Sequence, residues 1–544
     1  MSNKVNSSTF IKGAAILGVA TLLSKMLGLI YRIPYQNITG DLGYYVYMQV
    51  YPLYGTLLTF ATAGFPIVIS KIVSEKIALG DRQGVQKVLR VSFITLSITG
   101  CVTFALLYGG AEWIARAMGN DKLILPIRSV SFALLIVPPM AAIRGYFQGH
   151  QNMMPTAVSQ VMEQTVRVTT IIFLAYWFMK TTGNEYLAGA GAVFGAFTGA
   201  CASFLVLLFF WRKSRTVQGL STTSPNRSSR EDSAWHLIKN IVYYSLPICF
   251  GALALPLLQL TDSFTVANLL IKGGSLAEEA NILKGIFDRG QPLVAFGAFF
   301  ATALSLSLVP AIAEASARRD DAAIKSRTEL ALRLTLLIGL PTSIGLAVVA
   351  EPVNIMLYEN NKGTTALIVL SFTTLFSTLG IASAGILQGI GQVMLPAKYL
   401  FVAVIIKIIL NFILIPQLGI TGAALATVLA YSASTILNLR AVRHYTRVRL
   451  SLKSFFVKPV LSVLIMGILV WLIQPITMKM LLGIITSHRL YYSIVAFIAV
   501  LFGVVIYGIS LLWTGSITKK DMQSIPKLDK YVPFLDRLGL LRDA

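Results

Sequence analysis

The chain has 544 residues, 55% of them hydrophobic and only 13% charged, with a formal net charge of +23. A soluble protein carries about 25% charged residues, so the composition excludes a water-soluble globular protein and points to a polytopic membrane protein. The apolar runs do not alternate, which argues against a β-barrel and leaves helices to satisfy the backbone in lipid.

Windows of about 19 residues predict fourteen spans in chain order. The first six lie near 10–32, 43–70, 88–110, 125–148, 155–179 and 186–211. The N-terminal run is interrupted by Lys25 and lacks a small-residue cleavage site, so it reads as a span and not as a cleaved signal. Prolines and glycines punctuate these helices at Pro52, Pro66, Pro138 and Pro139, as kinks that lipid-embedded helices tolerate. In GAVFGAFTG, Gly191, Gly195 and Gly199 recur every fourth residue. That spacing predicts a close helix-packing face and does not match a phosphate loop. Segment 212–236 is polar and rich in Ser and Thr and predicts a flexible cytoplasmic linker.

The next spans lie near 237–262, 286–313, 330–350, 364–388, 396–416 and 418–440, and the last two near 455–478 and 490–514. The eighth is free of charge from Gly290 to Ala313, yet Asp288 and Arg289 stand at its mouth. Connections rich in Lys and Arg alternate with poor ones. The rich set (Lys71 to Lys87, Arg212 to Arg230, Arg318 to Arg327, Arg440 to Lys458) is cytoplasmic by the positive-inside rule, which puts both termini inside.

Sliding 51–100 onto 291–340 without a gap matches eleven of fifty residues, among them Pro52-Leu53 with Pro292-Leu293 and Asp81 with Asp321. QGHQNMMP at 148–155 answers QGIGQVMLP at 388–396. The expected fold is therefore all-α, with two pseudo-symmetric six-helix lobes at 1–211 and 237–440 joined by 212–236. Segment 441–544 adds two further helices and a cytoplasmic tail. Parallel repeats of this kind place a substrate site at their interface and work by alternating access.

Ionisable residues inside a membrane are costly and face a cavity or one another. Those predicted inside are Lys25, Arg32, Arg144, Glu163, Arg167, Asp262, Asp288, Arg289 and Lys407. Lys25 and Arg32 are seven apart and share a helix face. Glu163 and Arg167 are four apart and can pair within their helix. Arg144 and Arg32 lie toward helix ends, from where they can also snorkel to headgroups. Cations outnumber carboxylates, a bias that favours a polyanion such as a pyrophosphate. The surplus of positive charge also suits anionic lipid headgroups, whereas a basic face with interleaved aromatics for nucleic acid is missing. Cys101, Cys201 and Cys249 sit in apolar runs and read as small core residues. The four histidines make no metal spacing and no P-loop occurs. No cofactor is expected. The outer loops offer little beyond Glu112, Glu185, Glu278 and Glu351, too few groups for a catalytic set, so the chain is expected not to be an enzyme.

Two stretches carry a family resemblance. SKMLGLIYRIPYQNITGDLG, from Ser24, is similar to the opening helix of MurJ- and SpoVB-type flippases of the multidrug/oligosaccharidyl-lipid/polysaccharide superfamily. FDRGQPLVAFGAFFATALSLSLVPAIAEA, from Phe287, resembles their eighth helix. The resemblance maps the family's two cavity cations onto Lys25 and Arg32, and its Asp-Arg pair onto Asp288 and Arg289. Some members carry a further Arg late in helix two, but TFATAGFPIVISK has none before Lys71. The resemblance implies two lobes in a V, a cationic cavity lined by helices one, two, seven and eight, and a groove on helices thirteen and fourteen for a polyisoprenyl tail. It implies a monomeric, multi-pass protein of the bacterial plasma membrane, powered by membrane potential or a coupling ion. The implied substrate is an undecaprenyl-pyrophosphate-linked saccharide, lipid II foremost. A spore-cortex, teichuronic or capsular precursor, or a multidrug antiport activity, is the alternative.

Overall fold

The computed structural model describes residues 7–218, 233–448 and 453–516. Residues 219–232 of the expected linker, and the tail from 517, lie outside the described residues. Every regular element among the described residues is helical. Two compact units divide the chain between Asp288 and Arg289.

The first unit holds α1 (Ser7–Ile30), α2 (Arg32–Thr62), α3 (Phe65–Ala78), α4 (Arg82–Gly109), the short α5 (Ala111–Ala117) and α6 (Ile124–Ser131). It continues with α7 (Ala133–Gly149), α8 (Met154–Thr182), α9 (Glu185–Gln218), α10 (Ala234–Lys272) and α11 (Ala277–Asp288). The second holds α12 (Gln291–Ala317), α13 (Asp321–Val348), α14 (Ala350–Tyr358), α15 (Thr364–Gly389), α16 (Met394–Thr446), α17 (Lys458–Leu481) and α18 (His488–Trp513).

Eleven stretches among the described residues are long and apolar enough to cross a membrane. Two of them, 16–78 and 394–446, each contain two predicted spans, and α8 matches another in length although it carries Glu163, Arg167 and Lys180. All fourteen predicted spans thus lie on helices, in a polytopic all-α membrane protein.

The differences are at breaks. α1 passes into α2 through Tyr31, whose backbone stays right-handed helical (φ −64°, ψ −21°), with the Tyr31 N–H turned to the Leu27 carbonyl and the Tyr35 N–H to the Tyr31 carbonyl. Gly40 (φ 70°) interrupts α2, and Gly419 (φ 58°) splits α16 into the two spans read from sequence. Glycine occupies both because a side chain is strained at such φ. The predicted span 43–70 breaks between α2 and α3 at Ala63 and Gly64. There a Cβ on Gly64 would collide with the Ser245 carbonyl, and the Gly64 N–H donates to Cys249 Sγ at 3.3 Å. Cys249 is buried, but Cys101 is exposed and Cys201 half-buried, so only one of the three cysteines is a core residue. With apolar lipid outside, a small residue gains little by turning inward, which is why composition could not place them.

The repeat is visible as geometry. α4 and α13 each have 28 residues and begin with the same device: Asp81 caps the Gly84 N–H and Asp320 the Ala323 N–H. α7 and α15 end at Gly149 and Gly389, and α8 and α16 start at Met154 and Met394, each pair 240 apart. The repeat counts α10 with the second half, yet α10 packs along α2 and α3 in the first unit. Gln49 donates to the Ser263 carbonyl, Phe60 meets Phe250 at 6.0 Å, and Asn268 donates to the Ala117 carbonyl at 2.9 Å. In the second unit α17 and α18 are docked by Tyr507, which donates to the Leu337 carbonyl at 2.7 Å, and by Arg333, which reaches the Ser516 carbonyl.

Candidate functional site

The first unit draws three of the predicted charges together. Glu163 and Arg167 sit one turn apart on α8, and Arg167 donates to Glu163 Oε1 at 2.7 Å as the spacing predicts. Arg144, from α7, donates to Glu163 Oε2 at 2.8 Å, to Ser203 Oγ of α9 at 3.0 Å and to Ser159 Oγ at 3.2 Å. Arg144 therefore turns inward and does not snorkel to the headgroups. Spacing along one helix carries no information on which neighbour lies across from it, so neither this link nor Ser159 and Ser203 could be read in advance.

The glycine spacing of α9 is what brings α8 so close. A Cβ on Gly195 would lie 2.9 Å from the Arg167 carbonyl, and one on Gly199 would lie 2.5 Å from the Glu163 carbonyl and 3.0 Å from Arg167 Cβ. The predicted packing face is thus the seat of the charged pair. Two guanidiniums share one carboxylate, so the constellation keeps one positive charge in a buried setting: Arg167 is 7% exposed.

A ridge of tyrosines covers the neighbouring face. Tyr31, Tyr35, Tyr44, Tyr45, Tyr47 and Tyr54 are buried, and Tyr51 is half-buried. Tyr47 and Tyr51 stack at 5.3 Å, Tyr51 and Tyr54 meet at 6.0 Å, and the Tyr31 and Tyr47 hydroxyls bond to each other. Tyr31, Tyr47 and Tyr51 lie within electrostatic reach of both Arg32 and Arg167, and Tyr54 lies against Arg167. Arg32 is half-buried. Among the described residues no carboxylate pairs with it, and neither its Nε nor the Nε of Arg167 has a hydrogen-bond partner. Lys25 is exposed on α1, between Thr21 and Gly28, whose neighbours on α8 are Gln160 and Gln164.

Asp288 and Arg289 serve different units. Asp288, on α11, is buried and accepts a bond from Lys284, itself 1% exposed, one turn earlier. α11 lies so tightly on α2 that a Cβ on Gly285 would overlap the Asp41 carbonyl. Arg289, 2% exposed, belongs to the second unit. It donates to Asn360 Oδ1 at 2.8 Å and to the Lys362 carbonyl, and its guanidinium stands 5.0 Å from the centre of the Tyr358 ring. The Tyr358 hydroxyl in turn donates to the Arg289 carbonyl at 2.7 Å. The structure thus spends the guanidinium of Arg289 on the turn between α14 and α15. Lys284 was missed because it lies before the predicted span, although its i,i+4 spacing to Asp288 is a readable signal. Asp262 and Lys407 are both buried, on α10 and α16.

A family model described as polysaccharide biosynthesis protein matches residues 10–316, and one described as MatE matches 247–413. The chain is 38% identical over 432 residues to the membrane protein YabM of Bacillus subtilis, covering 79% of this chain and 80% of that one. It is 30% identical over 522 residues to the lipid II flippase MurJ of the same organism, covering 92% of this chain and 94% of that one. It is 29% identical to stage V sporulation protein B, again of Bacillus subtilis, over 82% and 86% of the two chains. Among solved structures, an inward closed lipid II flippase MurJ superposes with a TM-score of 0.63 at 16% identity, covering 91% of this chain and 98% of that one. An inward-facing MATE-family multidrug transporter gives 0.62 at 15% identity, covering 80% and 98%. At these identities the structural likenesses bear on fold alone.

Proposed function

Because the chain belongs to the polysaccharide biosynthesis protein family, among the MurJ- and SpoVB-like flippases of the multidrug/oligosaccharidyl-lipid/polysaccharide superfamily, we propose that it carries an undecaprenyl-pyrophosphate-linked saccharide, lipid II foremost, from the inner to the outer leaflet. The observation that carries this reading is the charge surplus inside the first unit. Arg144 and Arg167 share Glu163 as their one carboxylate partner, and Lys25 and Arg32 form no ion pair with a carboxylate among the described residues. Intramembrane charge is tolerated where a counter-ion or a wet cavity compensates it, and guanidiniums match the geometry of phosphate oxygens. A polyanionic head joined to a lipid tail meets both conditions. The outward-facing apolar side chains of α17 and α18, such as Trp471, Phe497 and Leu501, offer a surface for the tail. Alternating access between the two repeats, by a monomer powered by membrane potential or a coupling ion, completes the proposal.

Depletion of the protein tests the substrate class. Lipid-linked, pyrophosphate-bearing saccharide should accumulate in the inner leaflet, and its chemical identity separates lipid II from spore-cortex, teichuronic or capsular precursors. Unchanged pools of every such intermediate would contradict the proposal. A second reading, export of cationic drugs, is favoured by the MatE match over 247–413. It predicts drug sensitivity in place of accumulation, and the positive bias of the first unit speaks against it.

A further inference from the structure

The basic residues on the side that charge sorting makes cytoplasmic are not all alike. Several are answered by the protein itself. Lys71 pairs with Glu75 at 3.9 Å, Lys76 with Asp81 at 3.4 Å and Arg318 with Glu314 at 2.8 Å. Arg327 donates to the Ala311 carbonyl and Arg333 to the Ser516 carbonyl. The end of α16 differs. Arg440, Arg443, His444 and Arg447 are exposed there, and among the described residues their side chains have no hydrogen-bond or ion-pair partner. With about 3.6 residues per turn, the four share one helix face with Leu429 and Ile436, which are 40% and 46% exposed. Ala441, Val442 and Val448 are instead buried in one cluster with Leu332, Ile386 and Leu387, which fixes the basic face outward. The stretch from Gly419 to Arg440 rises about 30 Å as α-helix, the thickness of a hydrocarbon core. Leu429 and Ile436 thus stand at acyl-chain depth, and the bases stand in the headgroup layer. The helix dipole accounts for Arg443 and His444 in the last turn, but its effect has faded by Arg440. Arg447 has φ 52°, at a C-terminal position that favours glycine, so its backbone gives no reason for an arginine.

We propose that this face of α16 is a docking stripe for one anionic phospholipid, with Arg440, Arg443 and Arg447 on its phosphate and Leu429 and Ile436 along its acyl chain. The order along the helix, apolar and then basic, is the order of the parts of a lipid. Guanidiniums present forked N–H groups that match phosphate oxygens, and His444 adds a further N–H. The anionic lipids of a cytoplasmic leaflet supply the charge that the protein does not. A free phosphate ion offers the same oxygens but nothing for Leu429 and Ile436. The stripe lies where the second repeat ends and the chain turns toward α17, so a bound headgroup ties that joint to the leaflet. The inference stands apart from the transport reading, because it concerns a lipid that stays in place whichever saccharide is moved.

The test uses the purified full-length protein in neutral detergent micelles, with phosphatidylglycerol or phosphatidylcholine titrated in at constant ionic strength. The readout is the rise in melting temperature that a ligand of the folded state produces. Phosphatidylglycerol should give a saturable rise, and larger than that of phosphatidylcholine. Arg440→Gln combined with Arg443→Gln removes two exposed charges that no protein group answers. That variant should melt like the wild type in detergent alone, and its half-maximal rise should need roughly tenfold more phosphatidylglycerol. Lys71→Gln combined with Arg318→Gln removes the same charge from two other helices, where exposed pairs contribute little, and should leave the titration unchanged. Arg447→Gly relieves a left-handed backbone, so it should melt no lower in detergent alone and still weaken the lipid effect. An undiminished phosphatidylglycerol effect in the Arg440 and Arg443 double variant would overturn the stripe. So would an equal loss in the Lys71 and Arg318 control, or an equal rise with inorganic phosphate in place of lipid.

Discussion

Glu163 carries the most concentrated electrostatic responsibility in the first unit, since one carboxylate answers two guanidiniums from two helices. Removing one member of a buried ionic cluster strands the others, at a cost of roughly 3 kcal/mol or more. Glu163→Ala is therefore expected to lower the melting temperature more than Glu163→Gln, which keeps hydrogen-bond acceptance, and a thermal melt in detergent checks it. Melting temperatures of both variants equal to that of the wild type would show that the carboxylate is not what holds α7 to α8. Arg289 makes a different prediction. Its two hydrogen bonds and its place over Tyr358 tie the start of α12 to the turn after α14. Arg289→Ala should reduce the amount of folded protein in the membrane, and Arg289→Lys, which can keep the ring contact but not the fork, should fall between. Full abundance of Arg289→Ala with transport lost would instead return Arg289 to the substrate. At this scale the sequence was legible where partners share a helix. Glu163 with Arg167 could be read from spacing, and Lys284 with Asp288 could have been. The approach of Arg144 from α7 could not.

Among the helices, α9 shows how a small-residue stripe seats a charged pair. Gly195 and Gly199 let the α8 backbone come close enough that Arg167 and Glu163 are set by backbone contact and not by side-chain freedom. Gly199→Leu should push α8 away and cost about 1–3 kcal/mol as an overpacked core position does, read as a lower melting temperature. Gly18, which has open space around its Cβ position on α1, provides the control: Gly18→Ala should not lower it. If Gly199→Leu melts like the wild type, the glycine face is not what seats the charged pair. Spans and the GxxxGxxxG face were legible because apolar length and four-residue spacing are local properties. The bend at Ala63–Gly64 was not, because it answers a neighbour: α10 presses its Ser245 carbonyl on Gly64.

For the chain as a whole, a 240-residue register relates helix ends as well as residues. It could be read because the charged loops recur with the same period as the spans. Compactness, by contrast, depends on which helices touch, and it draws α10 and α11 into the first unit. Charge sorting predicts a topology that can be checked at two described turns. A cysteine placed at Arg319, in the turn before α13, should be shielded from a membrane-impermeant thiol reagent in intact cells. One placed at Gly274, in the turn after α10, should be labelled. The reverse pattern would invert every leaflet assignment in the proposed transport cycle. The most direct measurement of the central claim is translocation itself. Purified protein is reconstituted into vesicles carrying lipid II, and the fraction of saccharide exposed to an impermeant reagent is followed over time. The account predicts protein-dependent movement that is lost when Arg32 and Arg167 are both replaced by glutamine. Vesicles in which the wild-type protein moves no pyrophosphate-linked lipid but does exchange a cationic drug would contradict it.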